Sequence, residues 1–109
     1  PSSILSHQVT WSSRKLDLQL MQQGAAHLIG EQDFTSFRAV QCQAKSPIRT
    51  IHHLHLVRRG DLIILEVRAN AFLHHMVRNI VGVLMAVGAG DKSPDWVGQV
   101  LAAKDRTKG

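Results

Sequence analysis

Between Leu62 and Val87 the apolar residues change period, and that change limits the fold more than any other feature of the chain. In Leu62 to Asn70, Ile63, Leu65, Val67 and Ala69 fall on one side and Glu66, Arg68 and Asn70 on the other, the alternation of a strand with one face in a core. From Phe72 to Val87, residues Leu73, Met76, Val77, Ile80, Leu84 and Val87 form one broad helical stripe, with Gly88 and Gly90 as its stop. His75, Arg78, Gly82 and Met85 lie on the opposite side of that helix. A half-buried strand followed at once by an amphipathic helix needs a sheet with helices laid on it.

The rest of the chain fits that frame. Arg49 to Arg58 is a second β-rich run, joined to the first through Arg59-Gly60-Asp61, where the glycine supplies the positive φ of a tight connection, so the two read as a hairpin. Upstream, Leu18, Met21, Ala25, Leu28 and Ile29 repeat at helical spacing between an Asp17 N-cap and a Gly30 stop. Ile4-Leu5 and Val9-Thr10-Trp11 give a poor extended signal. Glu31 to Pro47 follows neither period and reads as a long irregular connection pinned by Phe34 and Phe37; connections of that length are often functional. Ser93-Pro94-Asp95 opens a last short helix through Trp96, Val97, Val100 and Leu101. The expected fold is α+β, an antiparallel sheet with helices packed on one face. A two-stranded sheet is marginal alone, so further strands are expected from flanking sequence or from another copy of the chain. The 109 residues suffice for one core, and Pro1 and Gly109 look like cuts within a longer protein, so residues 1–109 are expected to form a single partial domain.

Lys and Arg total 13 against 8 Asp and Glu, a formal charge of +5 that suits a polyanionic partner such as nucleic acid. Arg38, Lys45, Arg49, Arg58, Arg59 and Arg68 gather around the irregular segment and the hairpin, either to reach RNA phosphates or as a solvated charged surface. The lone Cys42 makes no internal disulfide, which favours a reducing compartment, and it has no identifiable activating base beside it. No stretch is long and apolar enough to span a bilayer, and cytoplasmic placement is expected. His53 and His55 share a strand face, but no Cys pair, helical His pair or fixed carboxylate accompanies them, so no metal is expected and the strand histidines read as surface groups. No glycine-rich phosphate cradle suggests a nucleotide cofactor. Arg78 interrupts Met76-Val77 and Ile80-Val81. It is expected at the margin of the interior, where a cation needs a carboxylate or phosphate partner, unless it extends to solvent along its own stem.

Three segments, read together, carry a resemblance: Gly30-Glu31-Gln32-Asp33-Phe34-Thr35-Ser36-Phe37-Arg38, the run from Ala69 to Gly82 containing Phe72-Leu73-His74-His75-Met76-Val77-Arg78-Asn79, and Leu101-Ala102-Ala103-Lys104-Asp105-Arg106. Their order and spacing resemble the C-terminal part of the tRNA pseudouridine synthase A family, from about Pro1 to Gly109. The resemblance implies isomerisation of uridine in the tRNA anticodon stem-loop, without cofactor or metal, by a homodimer. In that family an aspartate in an Arg-Thr-Asp-x-Gly setting attacks the target nucleoside, and a tyrosine stacks near the base. This chain contains neither that pattern nor any tyrosine; its Asp105-Arg106-Thr107 has the letters in another order. What carries over is Arg78, which the resemblance pairs with the absent aspartate. Phe72, His75 and Asn79 are implicated at the substrate by position beside Arg78, and Arg38 and Arg49 by their charge. The competing reading is a non-catalytic RNA-binding module.

Overall fold

The computed structural model describes residues 3–39 and 46–104. A four-stranded antiparallel sheet runs in the order β1-β4-β3-β2, from β1 (Leu5–Ser12), β2 (Gly30–Asp33), β3 (Ile48–Arg59) and β4 (Leu62–Ala69). Three helices complete the α+β fold: α1 (Leu18–Ala26), α2 (Met76–Gly88) and α3 (Pro94–Ala103). A 3-10 turn at Thr35–Phe37 links β2 to the segment preceding β3.

The hairpin forms as its alternation requires. Gly60 takes φ +60° in a two-residue loop between the paired Arg59 and Leu62, a backbone value that glycine accepts without steric cost. Ile63, Leu65, Val67 and Ala69 of β4 are all fully buried, and they face the helices. The sheet is larger than the hairpin expected from the sequence. Strand β1 pairs with β4 over its whole length, from Leu5 opposite Ala69 to Ser12 opposite Leu62. Strand β2 pairs with β3, from Gly30 opposite Ile51 to Asp33 opposite Ile48. Both missing strands therefore come from within the chain. The region from Glu31 to Pro47 is accordingly not irregular throughout, because β2 and the 3-10 turn occupy its first part.

Helix α1 starts at the expected cap, with Asp17 Oδ1 accepting from Leu20 N at 3.1 Å. It stops at Ala26, before the expected Gly30, and Gln32 Nε2 donates to Ile29 O at 3.0 Å just beyond its end. Gly24 lets α1 come close to α2 and α3: a Cβ there would lie 3.0 Å from Val97 Cγ2 and 3.3 Å from Leu84 Cδ2. Helix α2 begins at Met76, one turn later than its stripe suggests, so Phe72 to His75 form the connection from β4. Met21, Phe34, Phe37, Leu56, Leu65, Ile80 and Leu84 bring both layers into one core without solvent exposure beyond 1%. No helix among the described residues is long and apolar enough to cross a membrane.

Candidate functional site

The helix layer does not reach the end of the sheet. Leu5, His7, Val9 and Trp11 of β1 stand opposite the buried residues of β4 and so project to the same face, yet Leu5 remains 48% exposed. Between β1 and the start of α2 this leaves an open hollow of about 490 Å³. Its apolar lining includes Val9, Phe72, Leu73, Val77 and Val81, and its polar groups are His7, His74, His75 and Arg78, with no carboxylate among them. The ring of His7 meets Phe72 edge-on, with centroids 6.3 Å apart, and the rings of His74 and His75 lie 4.1 Å apart.

Of the two places expected for Arg78, the structure gives the exposed one, on the side of α2 that also carries His75, Gly82 and Met85. Its helical position is on the side away from the apolar stripe, and the inner face of β1 nearby is only partly covered, with Phe72 against His7 and with Val9 and Trp11 packed on the core. Among the described residues no carboxylate pairs with it. The guanidinium is therefore solvated at the rim of the hollow and available to an anion. His75, just before α2, has φ 63° and ψ 9°, the left-handed region that is uncommon for a residue with a Cβ. Loss of hydration, helped by the neighbouring His74 and Arg78, lowers the pKa of its imidazole from the usual value. At neutral pH the neutral ring is favoured, leaving Arg78 as the fixed charge of the pair.

The other expected site residues are less uniform. Asn79 is half-buried, and its Nδ2 donates to Phe37 O at 2.8 Å. Arg38 is half-buried beside Asp33. Partial burial pushes the Asp33 carboxyl up, but the Thr35 hydroxyl and N–H, together with Lys104 and Arg38, outweigh this and hold its pKa below the ordinary value. Arg49 curls onto its own turn, where Nη1 donates to Ser46 O at 2.9 Å and to Ile48 O at 2.7 Å. The expected single basic cluster is divided. Arg58 lies on the helix side of the sheet and donates to Ser13 O and Leu16 O at 2.7 and 2.6 Å, which makes it a structural residue. Arg68 pairs with Glu66 at 3.1 Å on the far side. Cys42, Lys45 and the Asp105-Arg106-Thr107 run lie outside the described residues.

The strand histidines do have a carboxylate nearby, contrary to expectation: His53 Nε2 lies 3.2 Å from Glu66 Oε1, because the cross-strand register puts His55 opposite Glu66 and His53 opposite Arg68. Among the described residues no group of three or more His, Cys, Asp or Glu is placed to hold a metal ion. Two polar residues of the hollow, His7 and His74, had no place in the sequence-based site. His7 could be found only through the register of β1, whereas His74 was signalled by its position between Phe72 and His75.

Fold and site together define an α+β domain that offers an open, apolar hollow with a basic rim at one edge of its sheet. The profile of the family described as tRNA pseudouridine synthase matches residues 25–109. The chain belongs to the tRNA pseudouridine synthase family. It is 57% identical over 108 residues to tRNA pseudouridine synthase A of Methylococcus capsulatus, covering 99% of this chain and 40% of the relative. It is 57% identical over 105 residues to the protein of that name in Pseudomonas aeruginosa, covering 96% of this chain and 37% of the relative. The Legionella pneumophila protein, also so named, is 58% identical over 106 residues, which is 97% of this chain and 40% of the relative. The chain thus spans 37–40% of the length of these relatives.

Proposed function

We propose that this chain is the C-terminal part of the catalytic domain of a tRNA pseudouridine synthase and acts with an upstream part that carries the nucleophilic aspartate. The observation that carries the reading is Arg78: an exposed guanidinium at the rim of an apolar hollow, without a carboxylate partner among the described residues. An aspartate brought to this rim would be held ionised and oriented by the guanidinium, the state a nucleophile needs. In the proposed reaction the N1–C1′ bond of uridine breaks, the released base turns, and a C5–C1′ bond forms. The hydrogen at C5 leaves as a proton, and N1 gains one.

Phe72 and the neighbouring apolar side chains offer a surface for a base taken out of its stack. His75, neutral at pH 7, is a hydrogen-bonding group beside it. Arg38 and Arg49 add positive charge for the RNA backbone, a contribution that weakens with salt. No step in this scheme calls for a cofactor or metal. Its setting is the cytoplasm, its substrate the tRNA anticodon stem-loop, and its active form a homodimer.

Release of tritium from tRNA carrying 5-tritiated uridine tests the proposal. The expected result is release by a chain extended at its N-terminus with the preceding segment of the Methylococcus capsulatus relative, and none by residues 1–109 alone. Release by residues 1–109 unaided would mean that one of their own carboxylates is the nucleophile and would overturn the scheme.

A further inference from the structure

Helix α2 starts without the usual anchor. Its N-cap residue, His75, makes no side-chain capping hydrogen bond, and the first turn contains no acidic residue. Arg78 sits in that turn. A turn so weakly capped frays, and a guanidinium carried on it would sample many positions.

Lateral bonds to the segment around the 3-10 turn take the place of a cap. Asn79 Nδ2 donates to Phe37 O at 2.8 Å, and Ala39 N donates to His74 O at 2.9 Å. These bonds bracket Arg78 in sequence and join the first turn of α2 and the connection just before it to the same short segment. The segment is itself fixed, because Phe34 and Phe37 are fully buried and Ser36 Oγ donates to Val100 O of α3 at 2.6 Å. Only one bond of the bracket depends on a side chain, that of Asn79. Its amide has the reach and the N–H to meet a half-buried carbonyl; alanine has neither, and leaves that carbonyl unpaired.

We infer that Asn79 is a positioning residue: its bond to the Phe37 carbonyl sets the first turn of α2 and thereby the place of the Arg78 guanidinium. This rests on the proposed role of Arg78. Substrate contact by Asn79 is not required: the bond to Phe37 uses one N–H of its amide, and the positioning role rests on that bond alone.

A double-mutant cycle in the extended chain tests the inference. Asn79→Ala is expected to lower kcat about 10²-fold, with KM and tRNA affinity within about 3-fold, because misplacement by an ångström is enough for such a loss. In an Arg78→Ala background the same substitution is expected to cost less than about 2-fold, since the group it positions is gone. Equal losses in both backgrounds, or no loss in the parent, would overturn the inference. If Arg78→Ala alone left kcat unchanged, the fault would lie instead with the proposed role of Arg78. Should Asn79→Ala not fold, Asn79→Ser is carried through the same cycle, with the same outcomes deciding.

Discussion

Replacing Arg78 with alanine in the extended chain is expected to lower kcat by about 10²–10³-fold, the range seen when one preorganised electrostatic group is removed from an active site. Affinity for tRNA should fall by less than about 10-fold, because a single rim charge is a small part of a polyelectrolyte interface. Arg78→Lys keeps the charge but loses the two-pronged fork that matches a carboxylate, and should fall between parent and alanine. Single-turnover rates and filter binding measured side by side decide the matter. Parallel losses of rate and binding would favour an RNA-binding surface with no chemistry of its own at Arg78.

The second large effect is on stability. Phe37 is fully buried, meets Phe34 edge-on with centroids 6.0 Å apart, and belongs to the core that α1, α2, α3 and the sheet share. Phe37→Ala should destabilise the domain by about 3–5 kcal/mol, through lost transfer free energy and the cavity left behind. That is a large share of the roughly 5–15 kcal/mol that holds a domain of ordinary stability. Its backbone carbonyl is also the acceptor for Asn79, so loosening this segment should loosen α2 as well. Urea unfolding of the variant and parent reads the difference. A change below about 1 kcal/mol would mean that the segment does not pack as described.

The legible parts of the fold were those where burial imposes a period. β4 and α2 each bury one face against many partners, so Ile63 to Ala69 alternate and Leu73 to Val87 form a stripe. β1 and β2 lack that imprint for different reasons. β1 is a sheet edge whose inner face is only partly covered, and its Ser6, His7, Gln8 and Ser12 are exposed. β2 has four residues, Gly-Glu-Gln-Asp, of which Gly, Glu and Asp are poor strand formers, and forms through pairing with the long β3. Tertiary hydrogen bonding decided its structure, which local propensity does not record.

The site divides in the same way. Arg78 was recognisable because a cation breaks an apolar run, and its segment carried the family resemblance. Its exposure was legible only in part: the helical period set it opposite the stripe with His75, Gly82 and Met85, but the hollow beside it depends on where the helix layer stops over the sheet. The bond from Asn79 to Phe37 joins residues 42 positions apart, and no spacing in the sequence announces it. Arg58 shows the converse: charge alone grouped it with RNA-facing residues, while the structure turns it inward onto the carbonyls of Ser13 and Leu16.

The proposed chemistry turns on what meets Arg78. A crystal structure of the extended chain measures it directly, as the distance from the Arg78 guanidinium to the carboxylate of the aspartate proposed to lie upstream. A paired geometry is expected, with nitrogen and oxygen about 3 Å apart at the rim of the hollow. An upstream carboxylate lying more than about 6 Å away, with Arg78 still in solvent, would contradict it.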